Sequence, residues 1–333
     1  MRITIKDIAK ELKVHHSTVS RALRMDTRIK AETGELIRNY ASEHGYYANL
    51  NALRLRNSFR NVIALIVPNI NHRFFSNIIN YLADFCYEKD YVLSIYQSNE
   101  NFDHERSFIE KLISQDVAGV IASVSDKTKT PDHFRELNKL NIPLVFFDRV
   151  LDDVRASRVT ANNREVVESL VVKLCRMGRS RVANVSGPDD ISVFHNRNLG
   201  YLNGLRIINS DYKKSICIEE QFSPESGRKA AVELFSNRVR PDAVISTSFF
   251  LTLGIVRYLN EINMKIPDEV IVAGFGDNLF NSLLNSDIIS IDQPEKEMAR
   301  TAFDLLLEQI EYNGKPENFN YKDIELKSTI ILT

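Results

Sequence analysis

The sequence predicts an α/β chain, with a small head of three helices followed by two doubly wound, Rossmann-like lobes. Three observations predict it. Residues 1–46 show helical periodicity alone. From Val62 onward, short continuous apolar runs alternate with helical stretches of about 10–15 residues. That alternation restarts after a seam near 155–162. A chain of 333 residues is long for one compact domain, and a small unit plus a large bilobed one accommodates it.

In the head, Thr4-Ile5-Lys6-Asp7 has the form of a capping box: the Thr4 hydroxyl accepts a first-turn N–H and Asp7 favours the positive helix end. Ile8, Ala9 and Leu12 then share a helical face, and Lys13-Val14 leaves room only for a turn. A second helix is predicted from His16 to Leu23, with Val19 and Leu23 inward. A third is predicted from Glu32 to His44, with Leu36, Ile37, Tyr40 and Ala41 inward. Three short helices sharing one apolar face suit a helix-turn-helix bundle.

The first lobe opens with Val62–Val67, an apolar run ending at Pro68 that has the pattern of a strand buried on both faces. Helices are predicted at 75–89, 103–115 and 132–140, and strands at 91–96, 119–123 and 144–147. The second lobe repeats the scheme with helices at 164–177, 197–208, 226–235 and 251–263 and strands at 181–186, 243–246 and 270–273. A helix at 295–312 and a strand at 328–332 remain.

Composition is ordinary for a globular protein, with 44% hydrophobic and 26% charged residues, which excludes disordered and collagen-like classes. The net charge of −1 conceals an asymmetry. Residues 1–60 hold 12 Lys+Arg against 6 Asp+Glu, a net +6, so the remainder carries −7. A basic head on an acidic body fits nucleic-acid binding confined to the N-terminus, although charge alone also allows a chance surplus of surface lysine. Cys86, Cys175 and Cys217 lie in apolar segments without Cys-x-x-Cys spacing, and the expectation is three buried thiols in a reducing compartment, with no metal site. The start lacks an apolar signal core and no run approaches about 18 apolar residues, so a cytoplasmic protein without membrane contact is expected.

The run from Thr4 to Ala9, then Val14, then Ser17-Thr18-Val19-Ser20-Arg21-Ala22-Leu23, resembles the helix-turn-helix signature of the lactose-repressor (LacI) family almost residue for residue. The turn departs from it: Lys13 stands where the family usually has Gly, and His15 where it has Ser or Thr. Loss of such a cap costs about 1 kcal/mol unless the His15 ring or a neighbour takes its place. The resemblance implies that the second helix enters the major groove of duplex DNA. His16, Ser17 and Arg21 lie outward, opposite Val19 and Leu23, and Arg21 is suited to guanine O6 and N7. Thr4, Thr18, Ser20, Arg28 and Lys30 are the candidates for phosphate contacts, each of which singly also fits a solvated surface residue. Residues 1–46 are thus the expected DNA-binding domain.

Residues 47–60 resemble the family's hinge, a helix that forms on DNA, pairs with its dimer mate and wedges a leucine into the minor groove. The matching residues are Leu55 for the wedge and Ala52 for the helix–helix contact, with Ala48 where Pro is usual. A plain tether is the other interpretation.

The looser resemblance over residues 61–333 implies an effector-binding domain of two periplasmic-binding-protein-like lobes. The N-lobe is expected at about 61–159 and 293–323, and the C-lobe at about 160–291 and 324–333. Asn69, Phe74 and Phe75 follow the first strand, and Asp148 follows the strand at 144–147, where open α/β sheets bind ligands. Arg197 opens an Arg-x-x-Gly-Tyr element whose arginine clamps the effector in the family. Phe222 matches an aromatic wall, Asp277 lies near a family acidic residue, and Gln293 matches a crossover glutamine. Ser248-Phe249 stands in place of a usual polar pair containing Asn or Asp. The phenylalanines equally suit a core, Asp148 a turn cap and Arg197 a surface ion pair.

Carboxylates, amides, a forked guanidinium and aromatic faces together suit a sugar. Gly276 and Ala161 stand where the family often has acids, and this scarcity of carboxylates favours an anionic effector such as a sugar phosphate. The expectation is a DNA-binding regulator, a repressor, that binds a pseudo-palindromic operator as a homodimer and is switched by a carbohydrate; no heptad tail supports a tetramer. The alternatives are a sugar-binding protein without regulatory role and a catabolite-type regulator controlled by a corepressor. No Gly-x-Gly-x-x-Gly after the first strand, Walker loop or Gly-x-Ser-x-Gly elbow is present. Neither catalytic residues nor a cofactor are therefore expected.

Overall fold

The computed structural model describes residues 3–23, 26, 28–44, 46, 61–219, 222–276 and 287–332, and the chain divides into two compact units, Met1–Arg60 and Asn61–Thr333.

The first unit holds α1 (Ile5–Glu11), α2 (His16–Ala22) and α3 (Ala31–Glu43). The capping box forms: the Asp7 N–H donates to the Thr4 hydroxyl oxygen at 3.3 Å, and the Thr4 N–H donates to Asp7 Oδ2 at 2.9 Å. Ile8, Val19 and Ile37 are fully buried where the three helices meet, with Ala9, Ala22 and Ala41 around them. Leu36 does not point inward as expected; it is 57% exposed. The buried stripe of α3 is Gly34, Ile37 and Ala41, spaced i, i+3, i+7, and Leu36 sits one residue, about 100°, off that stripe.

The second unit is built on two six-stranded sheets. In chain order the elements are β1 (Val62–Val67), α4 (Arg73–Glu88), β2 (Val92–Gln97), α5 (Phe102–Gln115), β3 (Gly119–Ala122), α6 (Asp132–Lys139), β4 (Leu144–Phe147) and β5 (Ser157–Ala161). The second lobe follows with α7 (Asn163–Arg176), β6 (Val182–Ser186), α8 (Ser192–Ile207), β7 (Lys214–Cys217), α9 (Pro224–Phe235), β8 (Ala243–Ser246), α10 (Phe249–Glu261), β9 (Ile271–Phe275) and β10 (Ile289–Asp292). Last come α11 (Glu295–Glu311), β11 (Asp323–Leu326) and β12 (Thr329–Ile331).

The first sheet has the order β11-β5-β4-β3-β1-β2, all parallel; the second has β12-β10-β9-β8-β6-β7, parallel except for the β10–β12 pair. Both orders reverse direction between two inner strands, β1/β3 and β6/β8, and crevices for ligands open at such points. The chain passes between the sheets three times, at 162, at 293–294 and at 327–328. Asn162 ties two passages together: its Oδ1 accepts the Ser328 N–H at 2.8 Å, and its N–H donates to Leu326 O.

Strands β3, β4, β6, β8 and β9 are buried along their whole length, which is why they are apolar runs in sequence. The pattern missed β5, β7, β10 and β11. Of these, β7 and β11 pair on one side only, and polar residues such as Lys214, Ser215, Asp323 and Glu325 occupy them. The thiols also differ from expectation: Cys86 is buried, Cys175 is half-buried, and Cys217 is exposed because it lies on the edge strand β7.

Candidate functional site

In the head, the helix-turn-helix turn is built from two unusual residues. The N–H of Val14 donates to Ala9 O and that of Lys13 to Lys10 O, the paired bonds of a Schellman motif. The motif requires left-handed backbone at position 13, and Lys13 adopts it with φ 51°. The next helix, α2, is capped by His15: its Nδ1 accepts the Ser17 N–H at 3.3 Å and sits 2.8 Å from the Ser17 hydroxyl. The imidazole does what a Ser or Thr would do.

His16 and Arg21 are exposed on α2, while Ser17, Thr18 and Ser20 are half-buried along it. The Thr4 hydroxyl donates to Asp7 Oδ2 at 2.6 Å, so a phosphate contact there competes with the cap. Arg28 is likewise engaged: its Nε and Nη2 donate to Asp26 at 2.9 and 2.6 Å, and this pairing holds the Asp26 carboxyl below its usual range. Lys30 is exposed at the start of α3. Sequence reasoning missed Arg38, whose Nη1 donates to Ala22 O at 3.2 Å and fastens α3 to the end of α2. Ala52 and Leu55, like the whole hinge, lie outside the described residues.

In the second unit, the carboxyl ends of β1, β4, β8 and β9 converge on a cleft between the sheets. Phe74, Phe75, Asp148, Arg197, Phe222, Ser248 and Gln293 line it together. Asn69 lines an adjoining outer cavity instead, and Asp277 lies outside the described residues. The lining also contains Phe249, the neighbour of Ser248 in the replaced polar pair, and groups that sequence reasoning passed over, notably His72, Phe194, Phe250 and Phe275. Only the position of Phe275 at the carboxyl end of β9 was a usable signal for these.

Arg197 is buried at 4% exposure. Its Nε donates to Asn163 Oδ1 at 2.8 Å and its Nη1 to Thr247 O at 2.7 Å, while the guanidinium lies 3.4 Å from the centre of the Phe275 ring. Gly200, one turn later, makes this possible: a Cβ there would fall 2.3 Å from Arg164 O, so only glycine lets α8 lie close on α7. Burial pulls the Arg197 pKa down to about 9, against the opposing pull of Asp148, and the side chain keeps its charge at neutral pH.

Asp148 sits in left-handed backbone (φ 58°) just past β4, and burial raises its carboxyl pKa despite Arg149 and Arg197 nearby. Arg149 is fixed from the side, its Nη1 donating to both Glu100 oxygens at 2.9 Å. Burial, reinforced by Arg149, lowers the His72 pKa to about 4, so its ring is neutral at neutral pH. Among the described residues, the buried Ser248 Oγ and Gln293 Nε2 have no hydrogen-bond partner. Unpartnered buried atoms also occur away from the cleft, at Ser98, Asn184 and Gln309 among others, so it is their place in the cleft lining that makes Ser248 and Gln293 candidates for a ligand.

Residues 4–49 match the family described as bacterial regulatory proteins, lacI family, and residues 63–316 match the periplasmic binding protein domain.

The chain belongs to the LacI family.

This LacI-family chain is 25% identical over 309 residues to the HTH-type transcriptional repressor PurR of Vibrio atlanticus, covering 92% of each protein. Its fold matches the Lac repressor dimer bound to operator and the anti-inducer ONPF with a TM-score of 0.83 and 18% identity, over 99% of this chain and 98% of that one. It also matches the Cra transcriptional dual regulator of Pseudomonas putida in complex with fructose 1-phosphate, with a TM-score of 0.72, 21% identity, and coverage of 82% of this chain and 98% of that one. The LacI-family chain is thus a DNA-binding transcription regulator with an effector-binding domain, and not an enzyme. None of its described helices is long and apolar enough to cross a membrane.

Proposed function

We propose that this regulator is a cytoplasmic homodimeric repressor of a pseudo-palindromic operator, and that a carbohydrate in the cleft sets its operator affinity. The observation that carries the effector assignment is Arg197. Two of its nitrogens are committed to Asn163 and Thr247, which fixes the guanidinium plane, while its Nη2 makes no hydrogen bond among the described residues. An arginine pre-oriented this way gives a directional contact to an oxygen-rich ligand at little entropic cost. The Ser248 hydroxyl, the Gln293 amide and the Asp148 carboxyl add the mixed donors and acceptors that hydroxyl groups require, and the phenylalanine faces suit the C–H side of a sugar ring. The sugar phosphate in the Cra structure supports the same ligand class.

On the DNA side, His16, Ser17 and Arg21 are proposed for base edges, with Thr18, Ser20, Lys30 and, in competition with their own pairings, Thr4 and Arg28 for phosphates. One head spans about half a site, so pairing of two chains supplies specificity. Leu55 and Ala52 are proposed for the hinge wedge. Selection of bound duplexes from a random library by the purified protein, at moderate salt and without ligand, tests this. Enrichment of a palindrome released by a sugar is the expected result. A duplex with a single half-site would refute dimeric binding, and enrichment only after a ligand is added would reverse the sign of control.

A further inference from the structure

Two atoms of Ser17 meet the same nitrogen of His15. The Ser17 backbone N–H points at Nδ1 from 3.3 Å, and the Ser17 hydroxyl oxygen lies 2.8 Å from it. A hydroxyl can turn its proton toward or away from a neighbour, but a backbone N–H in a helix cannot. The N–H therefore requires Nδ1 to be bare, and the ring carries its proton on Nε2. The 2.8 Å contact then has a single polarity: the Ser17 hydroxyl donates and Nδ1 accepts, since two facing lone pairs would repel.

A serine hydroxyl has one proton and two lone pairs, and at a base edge it ordinarily donates or accepts as needed. Helix α9 shows that ordinary case within the same chain. Its cap is Ser223, whose hydroxyl lies 3.0 Å from that of Ser226, and either oxygen can be the donor. An imidazole cap removes the choice. With its proton held by His15, the Ser17 oxygen has only lone pairs left for an outside partner.

We infer that His15 makes Ser17 an acceptor-only reader, so that the base Ser17 faces is adenine or cytosine. In the major groove the donors are the amino groups of adenine N6 and cytosine N4, whereas guanine O6 and N7 and thymine O4 are acceptors and meet the Ser17 lone pairs unfavourably. This rests on the assignment of Ser17 to base edges and gives that contact a direction. His15 acts through Ser17 and is a positioning residue for sequence choice as well as a cap.

The probes are duplexes built on the sequence that the full-length protein selects from a random library, compared by competition anisotropy. Each base pair of a half-site is exchanged in turn, and Ser17→Ala locates the pair that Ser17 faces as the one it no longer discriminates. At that pair single atoms are then removed. Purine for adenine or 2-pyrimidinone for cytosine deletes the amino group; 2-aminopurine for guanine or 5-methyl-2-pyrimidinone for thymine deletes the keto oxygen. Loss of the amino group is expected to weaken the wild type about three- to tenfold and Ser17→Ala not at all, while loss of the keto oxygen affects both proteins alike. His15→Ser keeps a cap but frees the hydroxyl, and is expected to accept guanine or thymine at the contacted base within about twofold of adenine or cytosine. A wild type weakened selectively by loss of the keto oxygen, or a His15→Ser protein with the wild-type preference, overturns the acceptor-only assignment and leaves Ser17 a base reader. If His15→Ser does not fold, the atom deletions on the wild type still decide. Wild-type discrimination by Ser17→Ala at every base pair removes Ser17 from the base edges and overturns both.

Discussion

The imidazole of His15 caps the helix that carries Ser17: Nδ1 accepts the Ser17 N–H at 3.3 Å and lies 2.8 Å from its hydroxyl. The cap works only while Nδ1 keeps its lone pair. His15→Ala is therefore expected to cost the head about 1 kcal/mol, and His15→Ser to restore it to within a few tenths. Hydrogen exchange of the α2 amides in the full-length protein measures both. Equal protection in the wild type and His15→Ala would show that the cap contributes nothing.

Lys13 holds a left-handed backbone conformation that favours glycine. Lys13→Gly is expected to stabilise the head by about 0.5–1 kcal/mol, since relief of strain outweighs the added freedom of the unfolded chain. The same amides report it through slower exchange. Faster exchange would mean that the lysine side chain contributes more than its backbone costs.

Arg197→Lys keeps a positive charge but loses the fork that spans Asn163 and Thr247. Effector response is expected to fall by about tenfold or more while operator affinity without effector stays within about twofold. Fluorescence anisotropy of a labelled operator, titrated with effector, separates the two. Undiminished release by effector would remove Arg197 from the site.

His72 gives the effector-binding unit a pH dependence of definite sign. Its folded pKa, about 4, lies below the ordinary 6.5, so between these values the unfolded chain binds the extra proton. The stability involved is fully present above pH 6.5 and lost progressively as pH falls toward 4, by up to roughly 3 kcal/mol. Urea denaturation at stepped pH should show this loss, and His72→Phe should flatten it by that amount. An unchanged slope in the variant would assign the acid sensitivity to other groups.

The parts of the molecule that were legible in sequence share one property: their surroundings are uniform. Strands such as β1 and β4 are buried on both faces, so residues 62–67 and 144–147 are unbroken apolar runs. Edge strands β7 and β11 mix Lys214 and Glu325 with apolar neighbours and look like loops. Helix α8 begins at Ser192, five residues before the expected Arg197, and no side chain caps its start. Asp148 was visible because it follows a strand, and Arg197 because it opens a recognisable motif. His72, Phe194 and Phe250 were not, because each matters by meeting a residue of the other lobe, His72 with Phe250 and Phe194 with Arg149, and such a meeting has no local sequence pattern. The His15 cap was legible as one of two ways to replace a missing Ser or Thr, the ring or a neighbour, and the ring takes the place.

The three passages between the sheets also govern how the protein is made. The first sheet needs β11, and its face needs α11, yet both lie in the chain beyond all of the second lobe except its last strand, β12. A ribosome adding about 5–20 residues per second takes on the order of ten to thirty seconds to travel from β5 to β11. Throughout that interval the nascent first lobe carries an uncovered apolar surface where Phe303 and Leu306 will later pack. The lobe made first thus waits for its cover until all but the last strand of the second lobe has been made, and its apolar face is open to wrong partners for that long.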